Sequence, residues 1–219
     1  MSDKFDPLHP AGARRNRRHR RLYFLGLGAL CFGVLLSESI SAWGWQAPKK
    51  VFEAGADPRP KPVKLVELRA ANRPVRLGEK FEGASDWLHG ATFKLRNDSG
   101  KEIVYLELDL NFPETAYTGS EMSFSIKAGR RPGGPGDLKE PLSVKPNGEL
   151  VFSLDEKKYK ELSDFVGKRH RLSEVNQVRV EVGFVVFGDG TAWGAGSYYR
   201  QDPANPNRYV PVGDTPPAN

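Results

Sequence analysis

The chain has 219 residues, 38% hydrophobic and 27% charged, with a net charge of +6 and a single cysteine. That length accommodates one ordinary domain with short additional segments. The charge is uneven: residues 1–21 hold seven Lys/Arg against Asp3 and Asp6, and Glu38 is the one charged residue between 22 and 42, so 43–219 carries only +2. A basic surface for nucleic acid is therefore not indicated, and no nucleic-acid partner is expected.

Residues 1–21 are polar, proline-broken and basic, and read as a disordered cytoplasmic tail ending in Arg14, Arg15, Arg17, Arg18, Arg20 and Arg21. An uncharged apolar run follows from Leu22 to Leu36, and Ser37 to Ala42 completes the segment. A basic block ahead of an apolar run is retained on the cytoplasmic side and sends the following chain across the membrane. Fifteen residues of helix span roughly 22 Å, short of a hydrocarbon core of about 30 Å. Extension to Ile40 brings Glu38 to the outer headgroups, with Trp43 and Trp45 placed as interfacial aromatics. The same 22–42 segment also reads as a cleaved signal sequence, with small residues at Ser39, Ser41 and Ala42. Cys31 lies inside the run behind Leu30, a poor context for lipid attachment, and the exported part has no cysteine for a disulfide.

Residues 43–62 hold Pro48, Pro58, Pro60 and Pro62, which predicts an extended linker. From Val63 to Arg200 the apolar period becomes two, as in half-buried strands. Lys64–Arg69, Val75–Phe81 and Phe93–Leu95 are predicted strands. Val104, Leu106, Leu108, Leu110 and Phe112 form the longest alternation. Met122, Phe124 and Ile126, then Leu150, Phe152 and Leu154, continue the pattern. Val178, Val180, Val182, Phe184 and Val186 are expected on one face. Asn97–Gly100 and Asp189-Gly190 read as tight hairpin turns, and Pro146-Asn147-Gly148 as a third turn. Ser153 and Glu156 have capping-box spacing, with Tyr159, Leu162 and Phe165/Val166 on one helical stripe and Gly167 as a stop. Pro203, Pro206 and Pro211 argue against regular structure in 201–219, which is expected to lie on the surface, pinned by Tyr209 and Val210. The predicted fold is all-β, an antiparallel β-sandwich with one short crossing helix, preceded by one transmembrane helix.

Phe93-x-Leu95-x-Asn97-x-Ser99-Gly100-Lys101-x-Ile103, followed by alternating apolar residues, resembles FxLYD-type and related bacterial immunoglobulin-like domains. The resemblance covers about 63–200 and implies an extracytoplasmic immunoglobulin-like β-sandwich, commonly membrane-anchored and without a catalytic role. The tail motif that names the group is not matched; Leu108-Asp109-Leu110-Asn111-Phe112 stands in its place, and no binding residues carry over.

Chemistry-bearing patterns are sparse. His89 and His170 lie far apart without carboxylates at ligand spacing, so no metal site is expected. Asp189 and Asp202 lack the dense oxygen ligands of a calcium loop and read as turn residues. No Gly-x-Ser-x-Gly elbow occurs, and no cofactor motif is present. The most distinctive loop is 129–136, where Arg130 and Arg131 offer guanidinium forks to a protein partner or an anionic surface. Trp193 and Tyr199, assigned to one strand face by parity, are candidates for stacking on a ligand. The expected function is a membrane-anchored extracytoplasmic interaction or scaffold module that is not an enzyme. Its candidate contacts are Arg130, Arg131, Trp193, Tyr199 and an exposed strand edge. The alternative is a secreted glycan-binding β-sandwich released by signal peptidase. The oligomeric state is left open.

Overall fold

The computed structural model describes residues 49–55, 59–118, 120–131, 141–170 and 172–215. The predicted membrane segment 22–42 and the basic tail lie outside these residues. Among the described residues no helix is long and apolar enough to cross a membrane.

Two β-sheets and one α-helix are formed among the described residues. The strands are β1 (Lys49–Ala54), β2 (Val63–Ala70), β3 (Arg73–Pro74), β4 (Lys80–Glu82), β5 (Thr92–Asn97), β6 (Ile103–Phe112), β7 (Met122–Gly129), β8 (Glu149–Ser153), β9 (Gln177–Phe187), β10 (Thr191–Gly194), β11 (Ser197–Asp202) and β12 (Asn205–Gly213). The helix α1 spans Glu156–His170, and a 3-10 turn occupies Pro113–Thr118. The small sheet runs β3-β2-β5-β8. The large sheet is built on β9. One edge of β9 pairs with β6, and β6 in turn pairs with β7. The other edge is shared: β1 occupies it from Val51↔Gln177 to Ala54↔Val180, and β10 from Gly194↔Phe184 to Ala192↔Val186. β4 lies outside β1, and β11 and β12 continue outward from β10.

The apolar faces of both sheets join one core. Leu106, Leu108, Leu110 and Phe112 of β6 meet Phe93 and Leu95 of β5, Phe152 of β8, and Val178, Val185 and Phe187 of β9. Leu162 and Val166 bring α1 onto the same core, and the Phe165 ring lies tilted against Phe124, with centroids 5.9 Å apart. An aromatic knot closes one end: Phe52 lies 4.7 Å from Trp87 and 5.7 Å from Phe93, with Phe81 5.3 Å from Trp87. The Trp87 indole N–H donates to Val175 O at 2.7 Å.

Several expectations are corrected. The stretch 43–62 is not all linker, because β1 inserts Phe52 into the core and pairs in parallel with β9, so the large sheet is not purely antiparallel. A central parallel strand buries both faces, which suits Lys50-Val51-Phe52: even the Lys50 side chain is enclosed, paired with Glu174 and donating to Asn176 Oδ1 at 2.8 Å. The predicted strand Val75–Phe81 is regular only at its far end, where Lys80 and Phe81 open β4, and β3 ends before it at Pro74. Asn97–Gly100 is no hairpin, since β5 and β6 belong to different sheets. Asn97 instead clamps the crossing: its buried amide donates to Lys101 O at 2.8 Å and Val144 O at 2.9 Å, and its Oδ1 accepts from Ser99 N at 3.0 Å.

The helix is capped by Asp155, whose Oδ1 accepts from Lys158 N at 2.9 Å, because Ser153 is consumed as the last residue of β8. α1 also runs past Gly167. The 201–219 segment is regular over Asn205–Gly213: β12 forms an antiparallel hairpin with β11. Its prolines are tolerated because β12 is an edge strand, where a missing N–H faces away from the ladder or falls at a bulge. The Asp189-Gly190 hairpin and the Pro146–Gly148 turn are present. Gly190 has φ 80° and its N–H donates to Phe187 O at 3.1 Å, and Asn147 has φ 63°.

Candidate functional site

The side chains with unexplained chemistry gather on the outward face of the large sheet, where β9 bulges. β6 and β9 change register between Glu107↔Phe184 and Leu108↔Val182, leaving Gly183 as an extra residue on β9. The bulge flips the strand. Val178, Val180 and Val182 face the core, as do Val185 and Phe187, but Phe184 and Val186 turn to the opposite face. The predicted single face of β9 is therefore split at Gly183.

The flipped residues nucleate a satellite cluster of Tyr105, Val186 and Ala192, with Val104, Phe184, Tyr199 and Tyr209 packed against it. Phe184 lies 6.2 Å from the Tyr199 ring and 5.5 Å from the Tyr209 ring. Arg131, leaving β7, places its guanidinium 4.6 Å from the Phe184 centroid and 5.5 Å from that of Tyr209. A cation over an aromatic face is stabilised by the ring quadrupole. Arg130 is exposed beside it. Burial, and then the neighbouring Glu107 carboxylate, pushes the Tyr105 hydroxyl well above the usual phenol range, and that hydroxyl donates to Glu107 Oε2 at 3.1 Å.

The structure thus brings Arg131 and Tyr199 together but separates Trp193 from them. The β10–β11 hairpin closes on two residues, Ala195 and Gly196, at φ 47° and 77°, so Trp193 pairs with Tyr198 and Ala192 with Tyr199. Partners across this turn have opposite parity, and the assignment of Trp193 and Tyr199 to one face is corrected. Trp193 points into the main core at 1% exposure, and its buried indole N–H has no acceptor.

Next to the aromatic cluster, β1 has ended and β10 has not begun. Among the described residues no strand pairs with Glu181–Gly183 on that edge of β9. A cavity of about 510 Å³ opens at this fork, lined by Arg59, Lys61, Asp109, Glu181, Val182, Gly183, Trp193 and Ala195. Asp109 stands directly across from Glu181, a like-charged cross-strand pair. Two glycines make room for them: a Cβ on Gly183 would lie 2.1 Å from Asp109 Oδ2, and one on Gly55 2.1 Å from Glu181 Oε1. Burial raises the Asp109 pKa above the ordinary carboxylate value, the Ser125 hydroxyl donating at 2.6 Å opposes this, and Glu107 and Glu181 add to the rise. Arg59 is anchored at the rim by donating to Ala195 O at 2.6 Å.

The sequence reading missed Arg59, Lys61, Asp109 and Glu181. Asp109 and Glu181 look like solvent-side residues of alternating strands, and only the β6–β9 register opposes them. The remaining candidates are structural. Asp189 accepts from Thr191 N at 2.9 Å and pairs with Lys101 at 2.6 Å, and Asp202 Oδ1 accepts from Ala204 N at 2.9 Å. His89 pairs with Glu156 at 2.8 Å and lies 5.1 Å from the Tyr159 ring. The His170 side chain lies outside the described residues. Among the described residues no group of three or more His, Cys, Asp or Glu is arranged to hold a metal.

No protein-family model matches the chain, and no curated protein or solved structure is significantly similar to it. The described residues define the class: a β-rich domain of two sheets and one helix.

Proposed function

We propose that this chain is a single-pass membrane protein whose domain, an immunoglobulin-like β-sandwich of the FxLYD-like kind, stands outside the cytoplasm as a non-catalytic interaction module. The observation that carries the reading is the order of segments: six arginines between Arg14 and Arg21, an uncharged run to Leu36, then a domain with no cysteine. The contact surface is the Arg131–Phe184–Tyr209–Tyr199 cluster with the exposed Arg130 beside it. Aromatic rings and arginine are the residue types enriched in the centres of protein interfaces. The arginines favour a protein partner with an acidic patch.

The released glycan-binding alternative is weakened by the burial of Trp193, whose ring has no free face for a sugar. Two measurements test the proposal. A reporter fused behind Asn219 should be active only outside the cytoplasm, and the intact mass should include residues 1–42. Proteins cross-linked to the wild-type chain in native membranes should be lost from the Arg131→Glu and Tyr199→Ala variants. Cytoplasmic reporter activity sinks the topology, and unchanged cross-links sink the surface.

A further inference from the structure

Lys50 and Asn176 meet where β1 and β9 begin, at the opposite end of β9 from the aromatic surface. The parallel register starts at Val51↔Gln177, and the Val51 N–H donates to Asn176 O at 2.9 Å, so Lys50 stands beside Asn176 on the neighbouring strand. The Lys50 side chain is fully buried; its amine pairs with the Glu174 carboxylate and donates to Asn176 Oδ1 at 2.8 Å. Its stem adjoins Trp87 and Phe81 around Gly83, where an added Cβ would meet Lys50 Cγ at 3.0 Å, Trp87 Cβ at 3.1 Å and Phe81 Cε2 at 3.5 Å. Glu114 fixes the amide from its other side: Oε1 accepts from Asn176 Nδ2 and Oε2 from Asn176 N, both at 2.9 Å. The amide thus turns its carbonyl to the amine and its nitrogen to a carboxylate. A buried amine with one carboxylate would be an ordinary enclosed ion pair. Here the amine also touches an oriented amide, which places a nucleophile, an acyl carbon and a proton acceptor together.

We infer that Lys50 and Asn176 join in an intramolecular isopeptide bond, which the folded chain forms without any other reactant. Glu174 takes a proton from the Lys50 ammonium and leaves a neutral amine. Nζ then forms a bond to Asn176 Cγ, and the carbonyl π electrons move onto Oδ1. A second proton passes from Nζ to Nδ2. The electrons on Oδ1 re-form the carbonyl, the Cγ–Nδ2 bond breaks, and the nitrogen leaves as ammonia. That ammonia takes the proton held by Glu174, which restores the carboxylate. Nothing is oxidised or reduced, and the chain loses one ammonia. Glu174 is 32% exposed, so the leaving group has a route to solvent. The fold supplies the approach, since it holds amine and amide in contact before the reaction starts. The bond staples β1 to β9, the strand on which the large sheet is built. The inference does not rest on the proposed membrane topology or contact surface, because every participant is internal to the domain.

The test is tandem mass spectrometry on the full-length chain, purified in detergent micelles, then unfolded and digested with trypsin. In most chains the peptide that begins at Lys50 should be joined to Leu172–Arg179, lighter than the two together by one ammonia. Fragment ions should place the link at Lys50 and Asn176. Lys50→Met and Asn176→Ala should yield the two peptides separately. Glu174→Gln keeps the shape of the side chain but accepts no proton, and thermal melts check that it is folded; its free peptides should predominate. The wild-type digest is read on the native chain and decides the matter even where a variant fails to fold. Free peptides predominating in that digest overturn the inference. An undiminished link in folded Glu174→Gln overturns the assignment of Glu174 as the proton acceptor.

Discussion

At the scale of single residues, the bulge at Gly183 makes the outer face of the large sheet what it is. The missing side chain lets the Asp109 carboxylate lie over the β9 backbone, and the extra residue turns Phe184 outward. Gly183→Ala should therefore destabilise the domain by roughly 1–3 kcal/mol through overpacking, measured by chemical denaturation. Asp109→Ala in the same chain should recover part of that loss, and additive losses would count against the contact. Asp109 itself titrates with a raised pKa, first because of burial and then because of Glu107 and Glu181. A carboxyl whose folded pKa exceeds its unfolded value holds its proton more tightly in the folded state. Its contribution to stability is then greatest in acid and is lost as pH rises through the raised pKa. Asp109→Asn should accordingly raise the melting temperature at neutral pH, and the gain should shrink to nothing as the pH falls below the ordinary Asp range. A gain independent of pH would show that the carboxylate charge is not its cause. None of this is legible from residue identity, because Asp109 occupies an ordinary polar position in an alternating strand.

At the scale of elements, the core strands follow the period-two pattern closely. β6 buries Leu106, Leu108, Leu110 and Phe112, and β7 buries Met122 and Ile126, as alternation requires. The misses are elements whose partners lie far away in sequence. β1 is only six residues long and sits in a proline-rich stretch, so nothing local marks it as central; its pairing with Gln177–Val180 does. Phe52→Ala should cost about 3–5 kcal/mol in denaturant unfolding, the usual loss for a large core aromatic. A loss near zero would restore the linker reading. The Asn97–Gly100 corner is a second case. Asn97 looks like turn chemistry, but its buried amide ties Lys101 and Val144 across the passage between sheets. Asn97→Ala removes one donor from each of those carbonyls and the acceptor of Ser99 N, and should destabilise the fold by about 1–3 kcal/mol, whereas a hairpin turn at the surface would tolerate it.

At the scale of the whole molecule, one core serves both sheets, and the segments outside 63–200 complete it. β1 contributes Phe52 and the enclosed Lys50, while β12 brings Tyr209 against Phe184 beneath Arg131. A fragment of residues 49–215 should unfold in a single cooperative transition. A fragment of residues 63–200 should lack one, because it strips β1 from the edge of β9 and β12 from the edge of β11. Calorimetry on the two fragments decides the matter, and equal cooperativity would make β1 and β12 accessory.

The sequence by itself determined the β-rich class, the helix that follows β8, the turns at Asp189-Gly190 and Pro146–Gly148, and the polarity of charge around the apolar run, because these depend on neighbours within a few residues. Only the tertiary structure decided which strands pair, where β9 slips by one residue, and that Trp193 faces inward while Tyr199 packs by Phe184, the ring that Arg131 covers. Cross-strand register is set by long-range packing, and a one-residue slip exchanges the two faces of a strand without changing a single letter of its sequence.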